Sequence, residues 1–263
     1  MIPKKIHYVW VGDKPKPQFV LDCIQTWKKF LPDYEIVEWG NQSLEGIHND
    51  YVDEAFKHKK WAFVSDYLRL FALYNEGGIY LDTDVEVTNN FDKFLNLDFF
   101  SCYENYKQQC YPITSAVMGA NRQNKIILEL LREYENIHFE NKNGLNLETN
   151  IIKITRYFED KFGFLPPYNG YQQSELTHNS CIFPFYYFCT PEYGKTNYAI
   201  HHFNGSWLPS HSRKNKLSIF GKIIFARLIK IREKGDLPML DGEKIIFKIK
   251  ISSQKYYCVI LKK

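Results

Sequence analysis

The chain has 263 residues, 44% of them hydrophobic and 17% aromatic, with a formal charge of +4. That length supports one large domain, or one domain with an appendage, around a sizeable core. Residues 213–234 hold eight Lys/Arg against one acid, leaving 26 basic and 29 acidic residues elsewhere. The positive charge is thus local, which excludes a general nucleic-acid-binding surface.

Lys5–Val11 reads as a strand, ended by Gly12-Asp13 and by Pro15 and Pro17. Phe19, Cys23, Ile24 and Trp27 recur at helical spacing over 18–30, and Tyr34–Trp39 is a second strand. A short helix is expected over 50–58 and a stronger one over 61–76, stopped by Gly77-Gly78. Ile79–Leu81, Phe99–Tyr103 and Ala116–Met118 read as strands, and 123–139 and 147–162 as helices. Strand-like pieces recur at 181–188 and 198–203. Leu217–Arg232 reads as a basic amphipathic helix, with Leu217, Phe220, Ile224, Leu228 and Ile231 in one stripe. The expected division is therefore a domain over 1–212 followed by a helix and tail over 213–263. The alternation of strands and helices implies an α/β sheet with helices on both faces, where ligands bind beyond the carboxyl ends of the strands.

The most informative stretch is Gly77-Gly78-Ile79-Tyr80-Leu81-Asp82-Thr83-Asp84. If the strand continues, Asp82 and Asp84 point to one face where it reaches solvent. Such a pair suits a hard divalent cation, Mn²⁺ or Mg²⁺, whose shell a diphosphate completes. An exposed acidic turn is the other local reading. An EF-hand is excluded, because its sixth and twelfth positions fall on Val87 and Lys93. Asp66 and Arg69 are i, i+3 neighbours and Ser65 and Arg69 i, i+4, so this face is either an intrahelical ion pair or a sugar and phosphate contact. Trp10 is either core or a platform for a base. His201-His202 and Trp207 supply an imidazole and an indole N–H, and their bland reading is structural. No zinc motif, Walker loop or dinucleotide fingerprint is present.

Four segments in order, Ile2–Trp10, Ala62–Arg69, Gly77–Asp84 and His202–Trp207, resemble the D-x-D sugar-binding glycosyltransferases of family 32. The resemblance extends more remotely to the glucosylating domains of clostridial toxins. It implies a GT-A nucleotide-sugar-binding fold with a mixed central sheet flanked by helices, a divalent cation and retention of anomeric configuration. By position it implies that Val9 and Trp10 hold the base, and that Ser65, Asp66 and Arg69 contact the donor. Tyr80 and Asp82 would line the ribose and sugar side, Asp84 would ligate the metal with Asp82, and Trp207 would touch the diphosphate. His202 falls where the toxin relatives carry a metal-ligating carboxylate. Asp82, Asp84 and Arg69 would carry the catalysis.

The implied donor is a UDP-sugar ahead of a GDP-sugar, and the implied acceptor is a saccharide or lipid-diphosphate-linked oligosaccharide of a bacterial surface polysaccharide. A toxin-like protein glycosyltransferase and a non-catalytic carbohydrate- or nucleotide-binding module are the alternatives. The start of the chain shows no secretory h-region, so a cytoplasmic protein is expected, with 213–234 docking it on an anionic inner leaflet.

Overall fold

The computed structural model describes residues 1–106, 109–142 and 144–204, together with the backbone of 215–219, 222–230, 243–252 and 255–262. The chain divides into two compact units, Met1–Phe203 and Asn204–Lys263.

The first unit opens with β1 (Lys5–Val9), α1 (Gln18–Phe30), β2 (Glu35–Trp39), α2 (Asp50–Lys57) and α3 (Trp61–Glu76). β3 (Gly78–Leu81), β4 (Val85–Val87) and β5 (Phe99–Cys102) follow. Next come the antiparallel pair β6 (Glu104–Tyr106) and β7 (Gln109–Tyr111), then β8 (Val117–Ala120) and α4 (Lys125–Arg132). A short pair β9 (Glu140–Asn141) and β10 (Gly144–Leu145) leads to α5 (Asn150–Phe162). The unit closes with β11 (Ser174–Leu176), β12 (Ser180–Phe183), α6 (Phe185–Phe188) and β13 (Ala199–His201).

Seven strands form one sheet in the order β11-β12-β5-β8-β3-β1-β2. β1 is parallel to β2 and β3, and β5 to β12, whereas β8 runs antiparallel to both β3 and β5. The sheet is therefore mixed, as expected. β2, β1, β3, β5 and β12 all end at the same edge, and β8 begins there. That edge gathers loops from across the chain.

Helix α3 is the central packing element. It lies against β1 and β3, and Val64, Leu68, Leu70, Ala72 and Leu73 are fully buried. The Gly-Gly stop works as the sequence predicts, for a steric reason. Gly77 and Gly78 have φ of 65° and 115°. A Cβ on Gly78 would lie 2.8 Å from the carbonyl oxygen of Lys5, so only glycine lets the chain turn from α3 into β3 flush against β1.

Three expectations are corrected. The helix expected over 123–139 spans only Lys125–Arg132, started by Asn124, whose side chain accepts from the N–H groups of Ile126 and Ile127. The strand expected over 181–188 stops at Phe183, because Pro184 cannot donate to a ladder, and a short helix replaces it. The basic helix expected over 217–232 is instead two strands of the second unit, β14 (Asn215–Ile219) and β15 (Lys222–Lys230). They pair antiparallel, Ile219 opposite Lys222, and join β16 (Glu243–Ser252) and β17 (Lys255–Lys262) in a sheet ordered β14-β15-β17-β16. Gly221 interrupts the helical stripe, and the isoleucine-rich runs on either side favour strand. The membrane-surface expectation for 213–234 rested on that helix and loses its basis. Among the described residues, no helix is long and apolar enough to cross a membrane.

His7 fastens the α3–β3 turn from below. Its ring is buried, with Nε2 2.7 Å from the carbonyl oxygen of Gly77. Its Nδ1 accepts from the Trp39 indole at 3.1 Å. Nδ1 as acceptor makes Nε2 the donor, which is the neutral tautomer. Burial holds the imidazole below its ordinary pKa, against the opposing pull of the Gly77 carbonyl. A folded-state value below the unfolded value of about 6.5 means that the unfolded chain binds the extra proton first. His7 therefore contributes stability that is present above about pH 6.5 and is lost as pH falls towards the folded-state value. Denaturant melts between pH 8 and 5 should show the stability difference between wild type and His7→Gln shrinking as the pH is lowered.

Candidate functional site

The site is built at the shared sheet edge. β3 ends at Leu81, and the Asp82 N–H still donates to the carbonyl oxygen of Ala116, just before β8, at 2.9 Å. The chain then turns sharply, with the Val85 N–H donating back to the Asp82 carbonyl at 3.0 Å. Asp82 and Asp84 converge because of this turn, not because a strand alternates through them. The acids expected to share a face do so by a different geometry.

β4 follows the turn and pairs antiparallel with β13, which sets His201 opposite Val85. Ligand atoms of Asp82, Asp84 and His201 all lie within 4.8 Å of one another. His201 Nε2 is 3.4 Å from Asp84 Oδ1. Burial alone would lower the His201 pKa, but the Asp84 carboxylate raises it well above the ordinary value. His202 sits elsewhere. Its Nε2 pairs with Glu86 Oε2 at 2.9 Å, and its ring meets the edge of Phe19. The structure thus brings His201 to the acids in place of the expected His202. Neighbouring residues on a strand point to opposite sides, so a one-residue step exchanges the two rings.

Behind Asp82 lies the Ser65-Asp66-Arg69 face of α3. Arg69 is 4% exposed, and each of its three nitrogens has a protein partner. Nη2 reaches Asp66 Oδ1 at 3.0 Å and Asp82 Oδ1 at 3.3 Å. Nη1 donates to the carbonyl oxygen of Ser115 at 2.9 Å, and Nε to that of Ser65 at 3.3 Å. The guanidinium also lies 4.8 Å from the centre of the Tyr80 ring, whose hydroxyl donates to Asp82 Oδ1 at 2.9 Å. Burial pushes the Asp66 carboxyl up to about 6 despite the neighbouring Arg69. Ser65 turns inward, donating to the carbonyl oxygen of Ala62 at 2.8 Å. Ser65, Asp66, Arg69 and Tyr80 therefore form a buried network that aims Asp82.

Continuing the register Ile6–Ile79 and His7–Tyr80 brings Val9 level with Asp82. Trp10 stands at this edge, partly buried, with its indole N–H donating to the carbonyl oxygen of Lys14 at 2.9 Å. Val9 itself is core. Trp207 lies outside the described residues.

Sequence reasoning missed Glu104, which stands two residues beyond the end of β5 as Asp82 stands one beyond the end of β3. Its Oε2 accepts from Thr114 Oγ1 at 3.0 Å. Burial raises its pKa, the positive charge of His201 opposes that, and the charges of Asp82 and Arg69 also act on it. The available signal was an acid just past a buried apolar run, which is too common a pattern to stand out.

Removing the Arg69 guanidinium would leave Asp66 and Asp82 facing each other without compensation. Arg69→Met is expected to cost about 3–5 kcal/mol in a guanidinium unfolding curve, the usual cost of breaking a buried ion pair from one side.

Residues 17–100 match the family model described as the glycosyltransferase sugar-binding region containing the DXD motif. The chain is 30% identical over 147 residues to inositol phosphoceramide mannosyltransferase 3 of Schizosaccharomyces pombe, covering 52% of this chain and 38% of that protein. It is 26% identical over 224 residues to an uncharacterized glycosyltransferase of Acanthamoeba polyphaga mimivirus, covering 80% of this chain and 85% of the viral one. Among solved structures, PaToxG glycosyltransferase superposes with a TM-score of 0.44 at 20% identity, over 62% of this chain and 71% of that one. The chain thus spans well under half the length of the yeast relative. Over residues 17–100 it is therefore similar to the sugar-binding region of the DXD-containing glycosyltransferases.

Proposed function

We propose that this chain is a metal-dependent glycosyltransferase with a GT-A-type donor site, moving a hexose from a UDP-sugar to a saccharide or lipid-linked acceptor with retention of configuration. The observation that carries the reading is the convergence of Asp82 and Asp84, both inside the matched sugar-binding region, with His201 at the carboxyl edge of the sheet.

The donor set fits a divalent cation. Two carboxylates and one imidazole offer the oxygen-rich shell with a borderline nitrogen that Mn²⁺ accepts, and Mg²⁺ would use the carboxylates. When bound, such an ion supplies Lewis-acid stabilisation of the departing nucleoside diphosphate. The chain's own residues do the rest. Arg69 and Tyr80 lock one oxygen of Asp82, so that carboxylate is oriented before any ligand arrives. The same two donors lessen the repulsion between Asp82 and Asp84. Trp10, just past the end of the neighbouring strand β1, would meet the base. The relative named for acting on inositol phosphoceramide supports a lipid-type acceptor and adds a mannosyl donor to the candidates. A bacterial surface polysaccharide remains our reading of the product.

Calorimetry with UDP and GDP, with and without Mn²⁺, tests the donor site, and a panel of UDP- and GDP-sugars tests the hexose. Asp84→Ala is expected to remove the manganese-dependent part of nucleotide affinity and to lower turnover about 10²–10³-fold. Its melting temperature is measured alongside, because the Asp84 side chain is only 14% exposed and faces His201. A well-folded Asp84→Ala protein with near-normal turnover would end this reading.

A further inference from the structure

Glu104 has no part in the reading above, yet the fold delivers it to the same edge. β5 runs parallel to β3 in the direction of its chain, with β8 between them, so both strands end on one side of the sheet. Strands lie about 4.8 Å apart, which places the end of β5 about 10 Å from the end of β3. Along the edge the order is the end of β1 with Trp10, the end of β3 with Asp82, and then the end of β5 with Glu104. An extended nucleotide-sugar has the same order of parts: base, diphosphate, hexose.

The carboxylate is held firmly on one side and left open on the other. Thr114 donates to Oε2, and Thr114 is itself buried and fixed by its N–H on the carbonyl oxygen of Cys102. Oε1 takes no donor among the described residues. The strand bearing Glu104 is clamped to the strand bearing His201. Thr190 Oγ1 donates to the carbonyl oxygen of Asn105 at 2.9 Å, and the His201 N–H donates to that of Cys189 at 2.8 Å. The Tyr106 ring packs 4.7 Å from Phe203, whose ring lies 4.0 Å from His201. No lysine or arginine forms an ion pair with Glu104 among the described residues, so its free oxygen is available to hydroxyl donors.

We infer that Glu104 is the hexose-recognising group of the donor site, its Oε1 accepting hydrogen bonds from hydroxyls of the sugar that the nucleotide carries. This rests on the donor-site reading above and extends it from the diphosphate to the sugar. Asp82, Asp84, His201 and Trp10 would serve the UDP part; Glu104 would serve the hexose.

The test compares the affinity of UDP with that of whichever of UDP-glucose, UDP-galactose and UDP-N-acetylglucosamine wild type binds best, by calorimetry with Mn²⁺. Glu104→Ala should weaken the sugar nucleotide about tenfold or more, the usual worth of a hydrogen bond to a charged group, and leave UDP unchanged. Glu104→Gln, which keeps an acceptor for Thr114, should retain the fold and part of the hexose increment. Equal weakening of UDP and the sugar nucleotide in both variants would overturn the inference in favour of a structural role, and so would no change in either. A wild type that binds UDP but gains nothing from the hexose would overturn it while leaving the diphosphate site standing. A wild type that binds no nucleotide would overturn both.

Discussion

The arrangement depends on one buried cation. The Arg69 guanidinium sits between Asp66 on its own helix and Asp82 at the end of β3, and it also holds the carbonyl oxygen of Ser115 before β8. A buried guanidinium is tolerable only when its charge and its N–H groups are matched, and here three segments supply the matches. In return it joins the central helix, the strand that presents the acids and the neighbouring antiparallel strand. Asp82 gains a fixed rotamer and a partner for its charge before any ligand is present. Burial pushes the Asp66 carboxyl up, yet the Arg69 charge keeps it useful as a counter-ion.

The second constraint is the close passage of the chain from α3 into β3. Gly77 and Gly78 adopt backbone conformations that side chains disfavour, and the neutral His7 ring receives the Gly77 carbonyl. This corner sets where β3 starts, and therefore where Asp82 emerges. The site inherits its position from helix packing rather than from the loop that carries it. Loops hold the reactive groups, as they do in most α/β sheets, but rigid elements aim them.

The edge of the sheet then reads as a row. β1, β3 and β5 end side by side or one strand apart, and they are followed by Trp10, Asp82 and Glu104 in that order along the edge. β13 completes the row from the opposite direction, bringing His201 onto the turn through its pairing with β4. The described strands of the second unit form a four-stranded antiparallel sheet with two register shifts between β16 and β17. Lys216, Lys222, Arg227 and Lys230 belong to strands β14 and β15, not to a helix.

Much of this was legible in order along the chain. The stripe of α3, its glycine stop, the strand before Asp82 and the mixed α/β character all follow from local periodicity and turn chemistry, which a window of residues contains. The motif of two acids spaced two apart was also visible, and in the fold both acids stand at the carboxyl edge of the sheet. Period alone misjudged 217–232, because a run of apolar residues fits a helix face as well as it fits two short strands. What no window contains is which distant segments meet. His201 rather than His202 faces the acids because β13 pairs with β4 in one register, and a shift of one residue would exchange them. Glu104 reaches the same sheet edge as Asp82 because β8 lies between β3 and β5 in the sheet. Types of element and types of chemistry are properties of neighbouring residues. The membership of the site is a property of long-range pairing, and only the folded sheet decides it.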